Sequence, residues 1–151
     1  MKRARIGVIA AAILAVATVV YAQKPDFSGS WTLDPEASGM AAGGGRMGGG
    51  AGPMVVKQTA DTLVTETTRG ENKVTMTYKL DGSESTNTQM GRGGASMETK
   101  STAKWDGSKL VISTVAGENT STQTWSMDGG NLVIEGTGGR GPTKRVYKKS
   151  T

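Results

Sequence analysis

The sequence predicts an all-β domain: an antiparallel up-and-down meander that closes into a barrel of about 8–10 strands, with almost no helix. Short runs that alternate apolar and polar residues recur from Phe27 onward, and this alternation is typical of strands with one buried face and one wetted face. Asp-Gly pairs at 81–82, 106–107 and 128–129 separate several of these runs. They favour tight hairpins because both residue types tolerate positive φ. Closure into a barrel would leave no strand edge unpaired.

The clearest predicted strand lies at residues 72–80, where Val74, Met76 and Tyr78 alternate with lysine and threonine. Threonine fills many positions of the other runs, since a β-branched side chain suits a pleated strand. In chain order, the predicted strands cover residues 27–33, 54–60, 62–69, 72–80, 83–90, 95–105, 109–116, 119–127, 131–136 and 142–149.

One longer insertion separates the first two predicted strands. Asp34 and Pro35 suit the N-cap and first position of a helix, and Gly39 suits its end, so we expect a single helical turn there. Residues 39–53 follow with eight glycines in fifteen positions and with two methionines. Ordering so much glycine costs backbone entropy, and we therefore expect a flexible Gly/Met-rich loop.

Residues 1–22 have the pattern of a secretory signal peptide, with a basic start, an apolar run at 6–20 and small residues before a cleavage point after Ala22. The apolar run is too short for a bilayer span, and a chain without cysteine has no lipid-modified N-terminal cysteine. We expect a single domain at 23–151 that is secreted or periplasmic without a stable membrane anchor. Cleavage lowers the net charge from +5 to +2, which removes the argument for nucleic-acid binding.

The composition excludes much of catalysis. The chain has no histidine and no cysteine, so His-based acid/base chemistry and Cys/His zinc sites are absent. Ser101 and Lys104 form a Ser-x-x-Lys motif, but on a predicted strand they point to opposite faces. The carboxylates follow no spacing that pairs them for acid/base work. We therefore expect a protein that is not an enzyme and has no cofactor.

Both ends of the 23–151 segment resemble the calycins, the superfamily of lipocalins and intracellular fatty-acid-binding proteins. The first strand contains Gly29-x-Trp31, similar to the Gly-x-Trp strand of that superfamily. The Trp105-Asp-Gly turn, the 129–134 segment and the final Arg145-x-Tyr147 strand are similar in order and spacing to the last strands of the fatty-acid-binding branch. A glycine-rich loop stands where that branch has a helix-turn-helix lid.

This resemblance implies a calycin-like barrel whose cavity binds a small hydrophobic or amphipathic ligand. It implies that Arg145 and Tyr147 hold a ligand carboxylate. Lipocalins offer a second role, in which Arg145 stacks on Trp31 and closes one end of the barrel. The residues expected at the ligand are Trp31, Tyr78, Trp105, Trp125, Arg145 and Tyr147.

Two alternatives remain open at this point. The first is an exported structural or protein-interaction module without a ligand cavity, whose outer face and glycine loops meet a protein or an envelope polymer. The second is a copper(I) protein, because thioethers are soft ligands and methionine clusters in the two glycine-rich loops. Its candidate ligands are Met47, Met54, Met90 and Met97.

Overall fold

The computed structural model describes residues 23–39, 53–90, 94–138 and 141–151. The predicted signal peptide at 1–22 and nearly all of the predicted 39–53 loop lie outside these ranges. The described residues form ten strands. These are β1 (Gly29–Asp34), β2 (Met54–Gln58), β3 (Thr62–Arg69), β4 (Asn72–Lys79), β5 (Glu84–Met90), β6 (Ser96–Asp106), β7 (Lys109–Ala116), β8 (Asn119–Asp128), β9 (Asn131–Thr137) and β10 (Thr143–Lys149).

The strands form one antiparallel sheet in the order β4-β3-β2-β1-β10-β9-β8-β7-β6-β5. Each strand pairs with its neighbour in the chain except at the β4–β5 junction, and β1 pairs with β10 so that Trp31 lies opposite Lys149 and Leu33 opposite Tyr147. This nearly closed meander confirms the predicted fold class. In the described residues there is no helix that has the length and hydropathy to span a bilayer.

The ends of the strands agree with the sequence pattern to within one or two residues. β2 stops at Gln58 rather than at residue 60, because Thr59 turns the chain: its amide donates to the carbonyl of Thr62, and its hydroxyl accepts from the Thr62 amide. The single turn predicted after β1 is present at residues 35–39 and does not continue into a helix. There the Asp34 carboxylate accepts from the amides of Glu36 and Ala37.

Side chains at alternate positions of every strand face the interior. The strand registers place Trp105, Leu110, Trp125 and Ile134 side by side across β6 to β9. The buried core gathers towards the end of the barrel that carries the β6–β7 and β8–β9 turns. Its largest fully buried apolar side chains are those of Phe27, Trp31, Val56, Leu63, Leu110, Ile112 and Leu132.

The last seam of the barrel, between β4 and β5, is held by side chains instead of a backbone ladder. The buried Asn87 amide accepts from the Thr77 N–H at 2.7 Å and donates to the Thr77 carbonyl at 2.9 Å. Beside it, the Ser85 hydroxyl accepts from the Lys79 N–H at 2.8 Å. Two polar side chains thus satisfy backbone groups that an edge strand would otherwise expose.

The hydrogen bonds of Asn87 are expected to make a measurable contribution to the stability of the fold. Asn87→Ala removes both bonds and leaves the Thr77 amide and carbonyl without partners, so the free energy of unfolding should fall by about 2–3 kcal/mol. Urea denaturation measures this change. Asn119→Ala, at an exposed strand asparagine, is the control and should change stability by less than about 0.5 kcal/mol. Equal effects of the two variants would contradict the seam's role.

The junction of β1 and β10 predicts a loss of stability in acid. Asp34 pairs with Lys148 at 2.6 Å, and this bond, with the Ala37 amide, lowers the pKa of Asp34 below its ordinary value of 3.8. The pair therefore stabilises the fold above the unfolded-state pKa, and its contribution disappears as pH falls through the lowered one. Thermal unfolding from pH 6 to pH 2 should show a shallower acid decline for Asp34→Asn than for Asp106→Asn, at an exposed turn aspartate. Identical declines would contradict this assignment.

Candidate functional site

One end of the barrel is filled by an aromatic cluster around Phe27, which has no exposed surface. The Phe27 ring stacks on Trp105 with ring centroids 5.9 Å apart and meets Trp125 edge-on at 5.8 Å. The indole N–H of Trp31 donates to the Phe27 carbonyl at 2.9 Å. Leu63 and Leu110 are fully buried in the same core. Buried apolar and aromatic side chains therefore fill the interior at this closed end.

Gln58 secures the segment that carries Phe27. Its side-chain oxygen accepts from the Phe27 amide at 2.9 Å, and its side-chain nitrogen donates to the Pro25 carbonyl at 3.1 Å. Its backbone amide donates to the Ser28 hydroxyl. The residues before β1 are therefore fixed across the closed end.

Lysines, and not the predicted arginine, lie over two of the tryptophan rings at this end. Lys149 Nζ lies 5.8 Å from the centre of the Trp31 ring, so the expected stacking of Arg145 on Trp31 is corrected. The reason is the register: Trp31 lies opposite Lys149, whereas Arg145 lies four residues back along β10, opposite Ile134. Lys24 takes the equivalent position over Trp105 at 5.5 Å.

The middle of the interior is polar, and its groups bond to one another. Thr99 and Ser101 are almost fully buried. The Thr99 hydroxyl donates to the main-chain carbonyl of Asn87 at 3.3 Å, and the Ser101 and Thr114 hydroxyls form a hydrogen bond at 2.8 Å. Within the described ranges no buried side-chain nitrogen or oxygen lacks a partner. This layer therefore needs no ligand to satisfy it.

Towards the opposite, open end, the inner face of β9 loses its side chains. Its inward positions run from Leu132 and Ile134 to Gly136 and then to Gly138, the residue after the strand ends. We call the resulting depression the β9 trough. The register places Gly136 between Gln123 on β8 and Thr143 on β10, so polar side chains border a floor of bare main chain.

The trough lies within an open pocket of about 330 Å³. This volume lies at the low end of the range for small-molecule sites. Ile134 supplies the apolar side chain of the pocket, and the exposed Arg145 supplies its charge. None of the ion pairs formed among the described residues includes Arg145. The remaining lining residues are Ser121, Thr122, Gln123, Gly136, Thr137, Gly138, Gly141 and Thr143.

Gln123 is oriented by the core beneath it. Its side-chain oxygen accepts from the Trp125 indole N–H at 3.2 Å, so the amide NH₂ group is the part left for a bound molecule. Together with the Arg145 guanidinium, it makes the pocket rich in hydrogen-bond donors. Such donors suit a bound molecule with an anionic or carbonyl oxygen as the acceptor.

The six residues predicted at the ligand divide between the two ends. Trp31, Tyr78, Trp125 and Tyr147 are buried in the core and Trp105 packs against it; burial raises the pKa of Tyr78 to about 12. Arg145 alone among the six lines the open-end pocket. Ligand contact by the five aromatic residues stays a prediction. Sequence reasoning missed Gln123, Gly136 and Thr143, although the phase of alternation in β9 places Gly136 inward.

The predicted copper(I) ligands are dispersed where the structure describes them. Met54 is buried in the core, while Met90 and Met97 are exposed. The register sets Met97 opposite Gln89 and Met90 opposite Ser96, so these two methionines point to opposite faces of the sheet. Met47 lies outside the described residues, and the copper(I) hypothesis remains a prediction.

Comparisons with known proteins identify the architecture. No protein-family model matches the chain, and no curated protein matches its sequence. Among solved structures, it is similar to the REP1-NXSQ fatty acid transporter, with a TM-score of 0.63 and 19% identity over 82% of this chain and 96% of that one. The fold is the calycin fold. This confirms the predicted superfamily resemblance at the level of fold.

Two further calycins match the chain. Echinococcus granulosus fatty-acid-binding protein 1 gives a TM-score of 0.63 and 14% identity over 83% of this chain and 98% of that one. Human cRBP IV gives a TM-score of 0.58 and 20% identity over 83% of this chain and 99% of that one. The Echinococcus protein is named for fatty-acid binding, and REP1-NXSQ is named for fatty-acid transport. The chain thus shares its fold with ligand-binding barrels.

Proposed function

We propose that this protein is an exported carrier or receptor for a small amphipathic molecule with an anionic head group, held in the open-end pocket. The observation that carries the proposal is Arg145, an exposed guanidinium on the inner wall of a calycin barrel with no carboxylate partner among the described residues. A guanidinium offers a planar, bidentate fork that matches a carboxylate.

The packed interior sets the size of this ligand. Ile112 lies opposite Gln123, Leu110 lies opposite Trp125, and both are almost fully buried. Ile134 lines the pocket. The apolar part of the ligand therefore lies in the β9 trough, on the open-end side of Ile134, and does not reach the aromatic cluster. A short-chain carboxylic acid fits this shape better than a long-chain fatty acid.

Calorimetric titration with straight-chain carboxylates from butanoate to hexadecanoate, and with the matching alcohols, tests the proposal. We expect affinity to stop rising at short chain length, because the filled interior offers no further apolar contact. Arg145→Gln should weaken carboxylate binding by about tenfold or more, since a hydrogen bond to a charged group is worth about 1.5–3 kcal/mol. Alcohol binding should change little.

Lys144→Gln is the matched control, because Lys144 adjoins Arg145 in the chain but projects from the outer face of β10. It removes the same charge without touching the inner wall. Equal losses in the two variants would show a general effect of net charge. Absence of binding by every member of the series would overturn the proposed function.

We also propose that cleavage after Ala22 releases the barrel outside the cytoplasm. All ten described strands follow residue 22. Gln23 is exposed and borders a surface groove with Lys109 and Asp128, so a chain that begins there has a free end at the surface.

Expression of the full sequence in a bacterium, with cell fractionation and intact-mass measurement, tests this export. We expect a product outside the cytoplasm whose first residue is Gln23. Leu14→Arg, which interrupts the apolar run of residues 6–20, should leave the full-length chain in the cytoplasm. A full-length chain from the unaltered sequence, kept in the cytoplasm, would contradict the proposal.

A further inference from the structure

Gly136 occupies an inward position in the interior of β9, where strands ordinarily carry a side chain. Glycine weakens a strand and often marks a place where a ligand or another backbone approaches closely. The described glycines with positive φ do not include Gly136. The backbone at this position therefore suits any residue, and its conformation does not require glycine.

Packing gives only a partial reason for it. A methyl group at Gly136 would lie 2.8 Å from the Thr143 hydroxyl, 3.7 Å from the Thr122 carbonyl and 4.0 Å from the Gln123 side chain. Only the first of these contacts is too close. The other surroundings are ordinary contacts or open pocket, so the space above Gly136 belongs to the pocket and not to the protein core.

The trough is also narrow. Its sides are Gln123 and Thr143, which the register places on either side of Gly136. Neighbouring strands are about 4.7–4.9 Å apart, so β8 and β10 lie about 9–10 Å from one another. The Thr143 hydroxyl and the Gln123 side chain, both within 4.0 Å of a methyl group added at Gly136, narrow this gap further.

We infer that Gly136 determines the specificity of the pocket: its missing side chain lets an unbranched aliphatic carboxylate lie on the main chain of β9, and branched isomers are excluded. The inference rests on the proposed function and adds the shape of the ligand. In this arrangement the head group meets Arg145, and the chain runs over Gly136 and Gly138 towards the open end.

Octanoate and its branched isomer 2-propylpentanoate test the inference, because they have equal charge and equal atom counts. The wild-type protein should bind octanoate about tenfold more tightly than 2-propylpentanoate. Gly136→Ala should reduce octanoate affinity by about tenfold or more and remove most of this preference. Calorimetry gives the affinities, and thermal unfolding shows whether each variant remains folded.

Two further variants separate the loss of space from the collision with Thr143. In the Thr143→Ala background the colliding hydroxyl is absent, so Gly136→Ala there should keep the thermal stability of Thr143→Ala and still lose octanoate affinity. At Gly138 an added methyl group has only a 3.4 Å contact with Ser121. Gly138→Ala should therefore fold normally and weaken octanoate binding less than Gly136→Ala does.

The outcomes distinguish the inference from the function beneath it. If the wild-type protein binds octanoate through Arg145, and Gly136→Ala binds it equally well in both backgrounds, the inference is overturned and the function stands. Equal wild-type affinity for the two isomers also overturns it. If the wild-type protein binds no carboxylate at all, the proposed function and the inference fail together.

Discussion

The structure depends on the burial of Phe27 at the closed end of the barrel. A chain with only seven aromatic residues cannot spread apolar side chains through a whole calycin interior, and here it concentrates them. Phe27 fills the space between Trp105 and Trp125, and Gln58 fixes its backbone in place. Because burial of apolar surface is the main stabilising contribution to folding, this cluster supports the barrel that positions every other feature.

A solid closed end has consequences for the other half of the interior. The middle layer of Thr99, Ser101 and Thr114 is polar, and its hydroxyl groups bond within the protein. The open-end pocket lies where β9 loses its side chains beyond Ile134. The fold is the calycin fold, and the pocket that we propose as the binding site lies at one wall near the open end.

Arg145 gains its potential function from this division. On β10 it follows the same inward phase as Tyr147 and Lys149, yet Tyr147 is buried in the core and Lys149 covers Trp31 at the closed end. One strand therefore supplies a core residue, a cap for the closed end and a pocket cation in successive inward positions. The pairing of β10 with β1 determines which residue takes which part.

Much of this architecture could be predicted from local sequence. The alternation around Val74, Met76 and Tyr78 and the Asp-Gly hairpins determine ten strands in a meander, because both signals act between neighbouring residues. The position of the lysine over Trp31 could not be predicted, since it depends on how the first and last strands align. The bonds from Asn87 to Thr77 escaped prediction for a related reason: they form only after the barrel brings β4 and β5 together. The pocket was not predicted because aromatic residues were expected to line the site. It forms instead where Gly136 has no side chain.

The most direct test of the account is an amide and indole NMR titration of residues 23–151 with octanoate. We expect the backbone amide signals of Gly136 and Arg145 to shift with ligand concentration. The signal of the Trp31 indole N–H, which is bonded to the Phe27 carbonyl, should keep its position. A shift of the Trp31 indole and of the Leu63 amide, with Gly136 unchanged, would place the ligand in the aromatic end and contradict the account.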